Sequence, residues 1–159
     1  MASWAEFEKE RPEMAALFRG ILGWIPIAYL ATVRKDGAPR VHPVCPIFAG
    51  GRMFVAVPAW SPKRFDLRRN GRYAMHALPG KWDESGRGDH EFYVTGRACL
   101  VEDEATLRRV AEAAGHEVRP QDWVFEFDIE RVMTAYWEKV GQPGTHAVRQ
   151  FWREGGDVR

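Results

Sequence analysis

The chain has 159 residues, 45% of them hydrophobic and 28% charged, which is one domain's worth of sequence and too apolar for a disordered chain. Its 23 Lys and Arg nearly balance its 22 Asp and Glu, so no global basic field points to nucleic acid or to an anionic membrane. Any anion site is therefore local.

Residues 3–22 carry a helical pattern. Ser3 with Glu6 three residues on forms a capping box, and Met14, Leu17, Phe18, Ile21 and Leu22 make one buried stripe. Gly23 and Pro26 end it. The N-terminus is polar and acidic, unlike a signal peptide. No apolar run approaches the ~20 residues of a membrane span.

The stretch 27–57 reads as a three-stranded meander. A strand over 27–34 meets Asp36-Gly37, a tight-turn pair. A partner strand over 40–48 contains Pro43 and Pro46, which places it at an edge or a bulge. Gly50-Gly51 turns the chain into a third strand over 53–57.

Next comes AWSPKRFDLRRNGR, residues 59–72. Ser61 reads as the N-cap of a short helix over 62–70, Pro62 suits its first turn, and Asn70-Gly71 stops it. A helix N-terminus carries unpaired N–H groups and the positive end of the dipole, so it seats anions. Lys63 in the first turn opposes that dipole, a mismatch that a bound anion would relieve. A plain solvated basic helix is the competing reading. Arg68 and Arg69, at the far end, read as dipole-compatible solvated charges.

A strand over 73–78 follows, then a polar loop over 79–91 and a strand over 91–101. An amphipathic helix over 102–115 turns Leu107, Val110, Ala111 and Ala114 inward. Strands over 124–129 and 132–140 are expected to turn near Glu130-Arg131, and a short strand is expected over 147–152. Six or seven strands with about three helices, without βαβ alternation, predict an antiparallel barrel rather than a doubly wound sheet.

No phosphate loop, His-Glu-x-x-His, Cys-x-x-Cys or nucleophile elbow is present, and the five histidines are scattered. No metal site is assigned. Two isolated cysteines, Cys45 and Cys99, make no disulfide framework and point to a reduced, cytoplasmic protein. Any chemistry then belongs to a bound cofactor. Trp60, Trp82 and Trp152 are candidates either for stacking on a ligand or for burial at a subunit interface.

Taken in order, IAYLATVRKDGAPRVHPVCPIF, GGRMFVAV, SPKRFDLRRNGRYAMH and EFYVTGRACLVED resemble the pyridoxamine 5′-phosphate oxidase-like superfamily of FMN-binding split barrels. The opening helix and AVRQFWREGG are similar to its small actinobacterial-type members. The resemblance implies a mainly β fold with helices, a six- to seven-stranded antiparallel split β-barrel. The whole of 1–159 would be one domain, with an N-terminal helix over 1–25, the barrel core over 27–140 and a C-terminal extension over 141–159.

The resemblance also implies FMN in a cleft between the two barrels of a homodimer. The family's Ser-x-Lys falls on Ser61, Pro62 and Lys63, with Lys63 on the flavin phosphate and Arg64 beside it. Arg40, Val41, His42, Pro43 and Val44 would line the flavin ring with backbone groups and with Arg40 or His42. Ala56 and Val57 would flank the ribityl chain. Glu91 stands where the family often has Gln, and a carboxylate beside an anionic flavin must be paired or turned away. The C-terminal Arg and His motifs that grip pyridoxamine phosphate in the true oxidases are not found, so that substrate is not implied. Relatives use FMN, the deazaflavin F420 or haem. The expected function is an FMN- or F420-dependent oxidoreductase acting on a small molecule, the alternative a non-catalytic flavin- or haem-binding protein.

Overall fold

The computed structural model describes residues 1–77 and 88–156. Most of the expected loop at 79–91, with Trp82, lies outside the described residues. The N-terminal helix is two helices, α1 (Trp4–Glu10) and α2 (Pro12–Trp24). Pro12 disfavours a helical residue before it, and Arg11 sits at φ −137°, ψ 66°. The capping box forms as expected: the Ser3 hydroxyl accepts from the Glu6 N–H, and the Glu6 carboxylate accepts from the Ser3 N–H. The break lets both helices aim aromatics at one point. Trp4 meets Phe48 at 4.6 Å between centroids, and Phe18 stacks on Phe92 at 4.2 Å.

Gly20 in α2 faces open space. Gly20→Ala is therefore expected to stabilise the protein by about 0.5–1 kcal/mol, read as a higher urea midpoint at unchanged slope.

β1 (Ala28–Val33) and β2 (Pro39–Val44) form the expected hairpin, with Gly37 at φ 83°. The expected continuous strand over 40–48 does not exist. It breaks at Cys45-Pro46, because Pro43 and Pro46 donate nothing to a ladder. β3 (Ile47–Ala49) pairs instead with β4 (Arg52–Val57) across Gly50-Gly51. The meander is thus two separate hairpins.

α3 (Lys63–Asn70), β5 (Arg72–Ala77), β6 (Gly88–Leu100), α4 (Glu104–Ala113), β7 (Trp123–Glu138) and β8 (His146–Arg153) complete the chain. The sheet order is β2-β1-β5-β6-β7-β4-β3, with β8 also on β7. β2 and β3 stand at opposite ends of this path, yet only Cys45 and Pro46 separate them in sequence. That short link holds the two ends within about 10 Å and curls the sheet into a split barrel that hydrogen bonds do not close.

The turn expected at Glu130-Arg131 is absent, and β7 runs straight through it. Thr95 pairs with Arg131 and Gly96 with Ile129, so Glu130 is the extra residue of a β-bulge. One expected strand is divided and two others are fused, changes that cancel in number, and the described residues form eight strands against the expected six or seven. Phe92, Phe125, Phe127, Met75 and Leu30 form the barrel core with α1 and α2. α4 covers a second cluster of Ile47, Phe54, Val110 and Val124. Ala111, expected on its inner face, is exposed. No helix of the described residues is long and apolar enough to cross a membrane.

Candidate anion-binding site

β4 delivers the chain to the start of α3 through a turn in which the Ser61 N–H donates to the Pro58 carbonyl (2.9 Å). Ser61 does not cap α3. Pro62 is already helical, at φ −66° and ψ −19°, and takes the cap position without a side-chain hydrogen bond. Ser61 is buried one step back, and its hydroxyl is not spent on the helix's first amides.

Lys63 is the first residue of α3 and only 7% exposed. Its ammonium has no hydrogen bond or ion pair among the described residues, and burial pushes its pKa down. A buried unpaired cation is costly, and its place in the first turn adds repulsion from the helix dipole.

Asp66, one turn on, is 4% exposed. Its carboxylate accepts from Arg40 Nε (2.8 Å), Thr32 Oγ1 (3.1 Å) and Arg69 (3.4 Å). Burial alone would raise its pKa, but the hydrogen bonds from Arg40 and Thr32 and the Arg40 charge outweigh it and hold the carboxyl below its ordinary range. Arg69 is exposed, as expected, and also donates to the Val33 carbonyl, so it tethers α3 to β1. Arg68 lies over Trp123.

On β2, alternation separates the expected ring-lining residues. Arg40, His42 and Val44 share the inner face, while Val41 (58% exposed) and Pro43 point outward. Arg40 is committed to Asp66. Burial first, then the Lys63 and Arg40 charges, push the His42 imidazole below its ordinary pKa, so it is neutral at pH 7. As the end strand, β2 leaves one row of backbone groups unpaired. An open cleft of about 480 Å³ beside it is lined by Arg34, Lys35, Asp36, Arg40 and Asp66.

Arg64 makes no ion pair among the described residues. Its guanidinium lies over Phe65 (4.5 Å) and Trp123 (4.9 Å), and its Nε is buried without a hydrogen bond. Ala56, partly buried, packs against the α4 cluster, and Val57 is buried in the barrel core. Glu91 lies on β6, separated from β2 by β1 and β5, with its carboxylate 3.9 Å from His76 Nε2. Trp152 is buried and donates to Glu10 at 2.7 Å. Trp60 is 71% exposed beneath the Arg119 guanidinium.

The structure therefore brings together Ser61, Lys63, His42 and Arg40, and adds Thr32, Asp66 and Trp123, which sequence reasoning missed. Among these, the visible signal was Asp66, a lone acid inside the basic run KRFDLRR.

A search of the curated proteins finds no significant match. Among solved structures, a heme binding protein from Mycobacterium smegmatis aligns with a TM-score of 0.61 at 18% identity, over 87% of this chain. The chain spans only 58% of that protein's length. A pyridoxamine 5′-phosphate oxidase-related, FMN binding protein from Nostoc punctiforme aligns at 0.59 and 12% identity, over 88% of this chain and 95% of its own. General Stress Protein 26 from Bacillus anthracis aligns at 0.55 and 16% identity, over 87% of this chain and 96% of its own. At these identities the likeness is one of fold. The family model for pyridoxamine 5′-phosphate oxidase matches residues 14–136, a segment running from α2 through nearly all of β7, and the chain belongs to that family.

Proposed function

We propose that this chain is a flavin-dependent oxidoreductase, cytoplasmic and homodimeric, that binds FMN and acts on a small-molecule substrate. The observation that carries this reading is Lys63, a buried residue at the N-terminus of α3 whose ammonium has no partner among the described residues. A phosphate monoester there would meet its ammonium, the positive end of the α3 dipole and the Ser61 hydroxyl. Arg64, over the Trp123 ring, is the adjacent second cation.

A bound flavin supplies hydride transfer. The chain's own residues anchor, orient and exclude water. The end strand β2 offers backbone groups to the ring. With Arg40 held by Asp66, His42 is the β2 side chain left to face it, as a neutral imidazole able to donate or accept one hydrogen bond. Tyr29 (41% exposed), Val41 and Pro43 form an apolar outer face on β1 and β2 that a second copy would cover. Glu91 then belongs to the facing subunit's side of the cleft. F420 carries a phosphate suited to the same seat and remains the alternative cofactor.

A second reading, a haem-binding protein without catalysis, is favoured by His42 alone. It is half-buried and neutral, the form that ligates iron. Titration of the purified protein with FMN, F420 and haemin in turn, followed by absorbance, separates these readings. FMN is expected to bind with a perturbed flavin spectrum. A haem band that disappears in His42→Ala, without flavin binding, would establish the second reading, and no spectral change with any of the three would overturn both.

A further inference from the structure

α3 has only eight residues and no side-chain cap at its N-terminus, so the direction of Lys63 depends on what holds the helix against the sheet. Leu67, buried in the barrel core, fixes its depth. Rotation about the helix axis, and position along it, are fixed by Asp66. Thr32 ties its carboxylate to β1, Arg40 ties it to β2, and Arg69 closes the loop through the Val33 carbonyl. Lys63 and Asp66 are three residues apart, which puts them on neighbouring positions of one helix face. Both are buried. Any slip at Asp66 is passed directly to the lysine one turn before it.

We infer that Asp66 is the positioning residue of the anion seat, and that through Lys63 it gives the seat its preference for a phosphorylated over an unphosphorylated flavin. This inference rests on the phosphate seat proposed above. Electrostatics alone predicts the opposite sign. Removing the Asp66 charge frees Arg40 and makes the neighbourhood more positive, which would tighten a phosphate ligand. Positioning predicts that the same change loosens it. A generalised loss of structure would weaken phosphorylated and unphosphorylated ligands alike.

The test titrates the full chain with FMN and, separately, with riboflavin, following flavin fluorescence well below the thermal midpoint. Wild type, Asp66→Asn and Thr32→Val are compared. Wild type is expected to prefer FMN. Asp66→Asn is expected to cut that preference about tenfold, the loss of one good charge-assisted contact, with riboflavin affinity unchanged. Thr32→Val removes a neutral donor to Asp66 and leaves every charge in place, so it is expected to act in the same direction by about threefold. It decides the question where Asp66→Asn does not fold. An unchanged FMN preference, a tighter FMN complex, or equal weakening of both ligands would overturn the inference while leaving the phosphate seat intact. A wild-type protein that shows no preference for FMN over riboflavin would overturn the seat itself, and the inference with it.

Discussion

Lys63→Met is expected to weaken FMN binding by about one to two powers of ten and, in the ligand-free protein, to raise the melting temperature. The first effect follows from losing a charge-assisted contact worth ~1.5–3 kcal/mol. The second follows from the desolvation of an ammonium that has no partner among the described residues. The unfolded chain keeps this lysine protonated up to its ordinary pKa, whereas burial lowers the pKa in the folded state. Charged Lys63 therefore destabilises the fold. The penalty is fully present below the folded pKa and fades as pH rises toward the unfolded value. Methionine fills similar space without charge, relieving on the order of 1 kcal/mol, or about 2–4 °C for a chain of this size. Calorimetry with and without FMN reads both effects. A loss of affinity with a lower melting temperature would mean that Lys63 is structurally paired; unchanged affinity would place the phosphate elsewhere.

Gly96→Ala is expected to be among the most damaging single-methyl changes in the protein. An added Cβ would stand 1.9 Å from the Asp128 carbonyl oxygen and 2.9 Å from its carbon. Those are backbone atoms of the facing strand, so no side chain can give way. β6 and β7 would have to part at the bulge, and the Tyr73 hydroxyl, which donates to the same carbonyl at 3.1 Å, would lose its acceptor. The cost is ~3 kcal/mol or more, or a fall of roughly 6–12 °C in melting temperature. Thermal unfolding checks it, with Gly20→Ala as the contrasting substitution of the same size and opposite sign. A change of under about 1 kcal/mol would show that the strands open there at little cost.

What was legible in the sequence was mostly local. Asp36-Gly37 and Gly50-Gly51 announced their turns because tight hairpins need positive φ, and Gly37, Gly50 and Gly51 all adopt it. Ser3 with Glu6, and the stop at Asn70-Gly71, were readable because caps are made by neighbours. Pairing between distant strands was not. Nothing inside 40–48 says that β3 leaves β2 for β4, or that β4 then pairs with β7, since those choices are made by residues far along the chain. Glu130-Arg131 looks like a turn because two charges interrupt an apolar run, but the bulge opposite Gly96 absorbs the extra residue.

The candidate site divides the same way. The order Ser61, Pro62, Lys63 after the third expected strand pointed to the anion seat. Its construction was hidden, because Thr32, Arg40 and Asp66 come from three elements and meet only in the folded chain. The tether made by Arg69 was hidden for the same reason, since its acceptor is the carbonyl of Val33 on another element.

A crystal structure of the chain grown with FMN tests the central claim most directly. The expected result is a flavin whose phosphate oxygens lie within about 3 Å of Lys63 Nζ, at the first turn of α3. A flavin whose phosphate is held elsewhere, with the Lys63 ammonium still unpaired, would contradict it.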